Sequence, residues 1–319
     1  MIHHSFDWLS NHLSTDSEEK TLTDSPPIRI IGVLGAGTMG HGIAQVAAAA
    51  GFAVVLRDIN DDLVARGRQA IERNLAKGIE RGKTTEEQKQ QTLSRITTTS
   101  ELPELAGADL IIEAAPENLD LKQTLLRECE AVTPATCIWA TNTSSLSISE
   151  IASGSARPHK IVGMHFFNPV HIMRLVEIVV GRQTSDDTTA AVRQVAQQMK
   201  KEPIVVRDFP GFASSRLGVT LGLEAMRMVE QGVASARDID TAMELGYNHP
   251  MGPLRLTDLV GLDVRLSIAE YLHSKLGSET FRPPEILRRL VSEGKLGKQS
   301  GEGFYRWNEH DGAHSAYTT

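Results

Sequence analysis

The chain has 319 residues, 40% hydrophobic and 23% charged, the proportions of an ordinary globular protein, and it is long enough for two domains around buried cores. A formal net charge of −7, with no lysine or arginine run, excludes the electrostatic footprint of a nucleic-acid binder or of a protein held on a membrane surface. Two cysteines, Cys129 and Cys137, are too few for a disulfide framework and lack metal-ligand spacing, so a reducing cytoplasm is the expected setting and no metal is called for.

Residues 1–27 are polar and acidic and lack the basic start and continuous apolar core of a secretory signal; they read as a flexible N-terminal extension. No stretch approaches a membrane span. From Ile28 the pattern sharpens. An apolar run ending at Leu34 predicts a strand, the GAGTMG segment a tight turn, the small residues after it a helix, and Phe52 to Leu56 a second strand closed by Asp58. Gly35 permits a sharp turn, Gly37 leaves room for a pyrophosphate, and Gly40 lets the helix lie close to the sheet. Thr38 and Met39 open the helix, whose free N–H groups and positive dipole end would face the phosphates. Asp58 stands where a carboxylate accepts hydrogen bonds from an adenosine ribose diol and repels a 2′-phosphate, which favours NAD over NADP. Arg57 would argue the other way, but side-chain alternation along a strand sends it to the opposite face. A glycine-rich turn in an unrelated α/β protein is the competing reading; strand, turn, helix, second strand and terminal acid in register favour a dinucleotide site.

Further along, Asp61 to Arg81 and Thr84 to Leu93 predict a helical hairpin carrying Arg73, Lys77, Arg81 and Lys83, which alone would be a solvated face. Thr97 to Ser100 and Ala108 to Glu113 read as strands, the second ending at Ala114 to Asn118. Helix over Asp120 to Val132, strand over Cys137 to Ala140, and the polar cluster Thr141 to Ser145 follow, then a short helix over Ser147 to Ala152. A strand over Lys160 to Met164 delivers His165 to Pro169, and Leu175 to Val180, extended again, carries Glu177. Helix over Asp186 to Met199 and strand over Pro203 to Val206 complete the alternating part. Beyond Pro210 only helices are expected: Ser214 to Gln231, Ala236 to Glu244, Pro253 to Leu276 and Pro284 to Ser292. The fold class is therefore α/β. It combines a Rossmann-type doubly wound sheet with a helical hairpin excursion over residues 28–209 and an all-α domain over 210–319.

Neighbouring strands could bring the His165 imidazole to the Glu177 carboxylate. Such a pair serves as a general base, because the acid fixes the tautomer and favours the protonated ring, and a hydroxyl giving up hydride must also give up a proton. A lone histidine after a strand is more often structural; the neighbouring glycine turn changes that weighting.

The segments GAGTMGHGIA, EAAPENLDLK, NTSSL, HFFNPV with LVEIV, DFPGF, AMELGYNHPMGP and SGEGFY occur in that order. Together they resemble the L-3-hydroxyacyl-CoA dehydrogenase family, which includes the 3-hydroxybutyryl-CoA dehydrogenases, from about Ile28 to Trp307. The resemblance implies an NAD-binding domain, a helical C-terminal domain that forms a homodimer, and an acyl-CoA substrate oxidised reversibly to the 3-keto form, as in β-oxidation. It implies His165 as catalytic base, Glu177 as its partner, Ser144 at the substrate hydroxyl and the cofactor, and Asn168 beside the nicotinamide. Glu117 and Lys122 fall on cofactor-contact positions, Asp58 on the ribose acid, and Asn74 and Arg81 on the hairpin that meets CoA. Two departures stand out. The family asparagine after PGF is replaced by Ser215, a shorter donor, and a family lysine that approaches the cofactor is replaced by Gln299, with Lys298 beside it. A related dehydrogenase acting on carnitine or a sugar acid, and a catalytically weakened NAD(H)-binding protein, are the alternatives.

Overall fold

A computed structural model describes residues 27–308 and 312–315. The proposed extension over 1–27 thus lies, Pro27 apart, outside the described residues. In chain order the elements are β1 (Ile30–Leu34), α1 (Thr38–Ala49), β2 (Ala53–Arg57), α2 (Asp61–Glu80), α3 (Glu86–Ser94), β3 (Ile96–Thr99), β4 (Leu110–Glu113), α4 (Leu119–Val132), β5 (Ile138–Thr141), α5 (Ile148–Ala152), β6 (Ile161–Phe166), β7 (Leu175–Val180), α6 (Asp186–Gln198) and β8 (Glu202–Arg207). These build one sheet in the order β3-β2-β1-β4-β5-β6-β7-β8.

Every pairing in that sheet is parallel except β6 against β7, which is antiparallel. β1 shows how the sequence builds the layers: Ile31 and Val33 point into the core formed with α1, α2, α3 and α6, while Leu34 points into the core under α4 and α5. The order reverses between β1 and β4, so the carboxyl ends of those two strands flank the crevice where ligands of doubly wound sheets sit.

The second domain contains α7 (Ser214–Glu230), α8 (Ala236–Gly246), α9 (Pro253–Val260), α10 (Leu262–Leu276) and α11 (Glu285–Ser292) around their own core. Two expectations are corrected here. The helix expected over Pro253 to Leu276 is two, because Gly261 at φ 104° takes a conformation that no helix continues through. The domain is helical but not exclusively so: β9 (Tyr305–Asn308) and β10 (Gly312–Ser315) pair antiparallel. A third correction concerns β6, which runs two residues further than expected and includes His165 itself.

The tail is anchored from α9. Asp258, 1% exposed, accepts the backbone N–H of Phe304 and of Tyr305 and the Trp307 indole N–H, each at 2.9 Å. Among the described residues no helix is long and apolar enough to cross a membrane, and no group of three or more His, Cys, Asp or Glu side chains could hold a metal ion.

Candidate active site

At the end of β1 the chain turns through Gly35 at φ +93°, with the Gly35 N–H donating to the Arg57 carbonyl at 2.8 Å. A Cβ on Gly40 would lie 1.7 Å from the Gly35 carbonyl oxygen, so close approach of α1 to the strand dictates that glycine. Gly37 is different: a Cβ there would meet nothing within 4 Å. Protein packing does not demand it, and the open space lies before the N-terminus of α1, which has no side-chain cap and no acidic residue in its first turn. Exposed Thr38 and half-buried Met39 border that space. Free N–H groups and the positive dipole end suit a pyrophosphate.

Asp58 completes this corner. Its Oδ2 accepts the Ala36 N–H at 2.7 Å and its Oδ1 the Ile59 N–H at 2.7 Å, so the carboxylate is held against the glycine turn. Arg57 reaches the Ser100 carbonyl through Nε at 3.1 Å, on the β3 side, and does not neutralise Asp58. The donor set therefore fits a dinucleotide with a free ribose diol.

Antiparallel register places His165 on β6 directly opposite Glu177 on β7. Nδ1 and Glu177 Oε2 are 2.7 Å apart, and since a carboxylate only accepts, Nδ1 donates, so that in the neutral ring Nε2 keeps its lone pair. The imidazole is 8% exposed and packs against Phe167, with ring centroids 4.5 Å apart. Glu177 is fully buried and takes more than the histidine: Oε1 accepts the N–H of Ala213 at 3.2 Å and of Ser214 at 2.8 Å, and Oε2 the Ser214 hydroxyl at 2.7 Å. Burial pushes its carboxyl pKa up, but the hydrogen bonds from His165 and Ser214 outweigh that and hold it below the usual range. Ser214, one residue before the position singled out by sequence, thus supports the pair. Ser215 is half-buried on the first turn of α7. The serine doublet after PGF was the only signal for Ser214, and the sequence does not say which member turns toward the base.

Glu117 sits on the loop after β4 and organises the turn after β5. One oxygen, Oε1, accepts the Thr143 hydroxyl at 2.6 Å, the N–H of Ser144 and Ser145 at 2.9 and 3.0 Å, and their hydroxyls at 3.3 and 3.1 Å. Burial raises its pKa, yet the Lys122 charge and these donors hold it below the usual range. Lys122 lies beneath, 0% exposed, with its ammonium committed to Glu113 at 2.7 Å and the Ala115 carbonyl at 3.2 Å, and 3.6 Å from Glu117. In this arrangement it faces the loop from below and not open space. Asn142, unassigned by sequence, receives the Phe166 N–H at 2.8 Å and so ties the end of the histidine strand to the same turn. Asn168 is exposed just past β6, in the cis Asn168-Pro169 segment.

The helical hairpin of α2 and α3 borders a cavity of about 320 Å³ lined by Asn74, Lys77, Arg81, Lys83 and His171. Arg73 is not among the lining residues. The Asn74 amide approaches Gln45 at 3.3 Å and His41 at 3.4 Å, while the other His41 nitrogen meets the Gly37 carbonyl at 2.7 Å. The basic hairpin and the glycine turn are thus linked through His41, to which the sequence assigned no role. At the tail, Gln299 donates to Asp263 at 2.8 Å and the Lys298 ammonium lies 5.6 Å from the Trp307 ring centre.

Residues 30–209 match the family model described as 3-hydroxyacyl-CoA dehydrogenase, NAD binding domain, and residues 211–307 match its C-terminal domain. A probable 3-hydroxybutyryl-CoA dehydrogenase of Deinococcus radiodurans is 46% identical over 276 residues, covering 86% of this chain and 99% of that one. The mitochondrial hydroxyacyl-coenzyme A dehydrogenase of Sus scrofa is 39% identical over 94% of this chain and 98% of its own. Among solved structures, the (S)-3-hydroxybutyryl-CoA dehydrogenase of Ralstonia eutropha superposes with a TM-score of 0.86 at 41% identity, over 88% of this chain and all (100%) of that one.

Proposed function

The chain belongs to the 3-hydroxyacyl-CoA dehydrogenase family, as an oxidoreductase with an NAD-binding domain, and on that premise we propose how it works. It oxidises an (S)-3-hydroxyacyl-CoA reversibly to the 3-ketoacyl-CoA, with His165 as general base and Glu177 as its partner. The observation that carries this reading is the 2.7 Å contact between His165 Nδ1 and Glu177 Oε2, which leaves Nε2 free to accept a proton.

The glycine turn and Asp58 would hold NAD, which would supply the hydride acceptor. His165 Nε2 takes the hydroxyl proton as hydride leaves the carbinol carbon. Glu177, kept ionised by the Ser214 donors, stabilises the imidazolium that results. Ser144 holds the substrate oxygen and borders the cofactor, Asn168 borders the nicotinamide, and Ser215 contributes a short donor where the family carries a longer one. Phe167 and the buried strand end limit water around the imidazole, which strengthens each of these contacts.

The cavity of Asn74, Arg81 and their basic neighbours is the place for the phosphates of CoA, since Lys77, Arg81 and Lys83 converge there. This favours an acyl-CoA over carnitine or a free sugar acid. A homodimer through the helical domain accounts for Leu217, Leu245 and Tyr247, which stand 71%, 83% and 75% exposed on α7, α8 and the residue after it. Free buried thiols at Cys129 and Cys137 suit the cytoplasmic setting.

The test is NADH oxidation across a ladder of 3-ketoacyl-CoA lengths, with NADPH and free 3-keto acids run in parallel. Turnover confined to NADH and CoA thioesters supports the proposal. Equal turnover of free acids moves the protein to another substrate class, and cofactor binding without turnover on any substrate identifies a weakened NAD(H)-binding protein.

A further inference from the structure

A second charged cluster lies under the site, and the proton-transfer pair does not use it. Parallel register sets Glu113, the last residue of β4, beside Thr141, the last residue of β5, and both are fully buried. Glu113 Oε2 accepts the Thr141 hydroxyl at 2.6 Å; its Oε1 accepts the Ala115 N–H at 2.6 Å and the Lys122 ammonium at 2.7 Å. Both oxygens are therefore fixed, and through them the ammonium is fixed too.

Stability does not explain such a pair. Taking two charges out of water is unfavourable, and apolar side chains of similar volume would pack the same space without that penalty. What the pair does have is direction. Lys122 is clamped to Glu113 and reaches Glu117 Oε2 at 3.6 Å, which turns the opposite oxygen, Oε1, toward residues 143–145. Hydroxyl and N–H donors of Thr143, Ser144 and Ser145 converge on that single oxygen. A short segment of small polar residues has many conformations of similar energy, and one oriented acceptor selects among them.

We propose that Glu113 and Lys122 are positioning residues for the reaction: the buried pair fixes Glu117, Glu117 fixes the turn at 143–145, and the turn presents Ser144 to the substrate oxygen. This rests on the proposed function, in which Ser144 touches the substrate. Neither Glu113 nor Lys122 needs to meet the substrate or the cofactor for this.

The test is a double-mutant cycle in the full-length protein. Glu113→Gln combined with Lys122→Met removes both charges together, so neither is left buried alone. Turnover of acetoacetyl-CoA at saturating NADH is expected to fall about 10- to 100-fold, the scale of a reacting group misplaced by about an ångström. Glu117, without its cation, titrates higher, so activity fades at a higher pH on acidification than in wild type. In a Ser144→Ala background the same change is expected to cost less than about threefold more, because the pair acts through that serine.

Full additivity with Ser144→Ala overturns the proposal. A large loss of NADH affinity with turnover at saturation unchanged also overturns it, and makes Lys122 a direct cofactor contact. Thr141→Val, which removes one donor to Glu113 and no charge, covers the case in which the double variant does not fold; it should show the same non-additivity at smaller amplitude. Absence of acetoacetyl-CoA turnover in the wild-type protein counts against the proposed function instead, and the two failures are thus distinguishable.

Discussion

Glu177 caps the helix that begins at Ser214: the Ser214 N–H lies 2.8 Å from Oε1 and its hydroxyl 2.7 Å from Oε2. α7 has no side-chain cap of its own, so a carboxylate from the sheet satisfies the first donors of the second domain. That same carboxylate receives the His165 ring. The base is therefore oriented by the junction between the two domains, and a change in how α7 meets the sheet is felt at the imidazole.

Ser214→Ala removes a hydroxyl from a buried, ionised carboxylate. A loss of about 1.5–3 kcal/mol of stability is expected, with turnover reduced about tenfold as the His165 orientation loosens. Ser215→Ala is expected to alter stability by less than about 0.5 kcal/mol. Denaturant unfolding and initial rates of both variants check the contrast; equal destabilisation would show that Ser214 has no special tie to Glu177.

Glu177→Gln keeps the shape and changes the proton logic. The backbone N–H groups of Ala213 and Ser214 still need an acceptor, so the amide turns its NH2 to the position shared by His165 Nδ1 and the Ser214 hydroxyl, and the tautomer with Nε2 free is no longer enforced. A fall in kcat of about 10²- to 10⁴-fold is expected. The depressed pKa of Glu177 also sets a sign: its stabilisation is present above its ordinary 4.5 and is lost as pH falls through the lower folded value. Acid unfolding of the Gln variant should accordingly be less steep in that range.

Asp58→Ser removes the charge that a 2′-phosphate would meet. The ratio of NADH to NADPH efficiency should narrow, by about 10²-fold where the full like-charge penalty is relieved. Because Asp58 also accepts the Ala36 N–H, NADH affinity is expected to weaken at the same time. An unchanged ratio would remove Asp58 from cofactor selection.

In the helical domain, burial raises Asp258 to about 6 despite its three donors. A carboxyl whose folded pKa lies above its ordinary 3.8 makes the fold less stable as pH climbs from there through about 6. Asp258→Asn should flatten that dependence and, below pH 5, lower stability by about 1–3 kcal/mol, because its amide nitrogen cannot accept from the tail. Unfolding at several pH values reads both effects.

Much of this was legible in the sequence where local chemistry dictates the backbone. The glycine turn follows from steric needs within a few residues: Gly35 takes a positive φ and Gly40 meets the strand closely, while packing makes no demand on Gly37. His165 and Glu177 were legible as residues on adjacent extended segments, though the strand runs through the histidine and does not end before it. Ser214, Asn142 and Glu113 were not legible, because each acts through a partner brought close only by tertiary folding. Gly261 was missed for a related reason: a single glycine in a helical pattern breaks the helix only when packing asks for the turn.

The most direct test of the central claim is stopped-flow NADH oxidation by acetoacetyl-CoA with His165→Ala, set beside NADH affinity measured by fluorescence titration. The account predicts an about 10²- to 10⁴-fold loss of the chemical step with NADH affinity essentially unchanged. Retained turnover in the variant, or loss of cofactor binding in equal proportion, would contradict it.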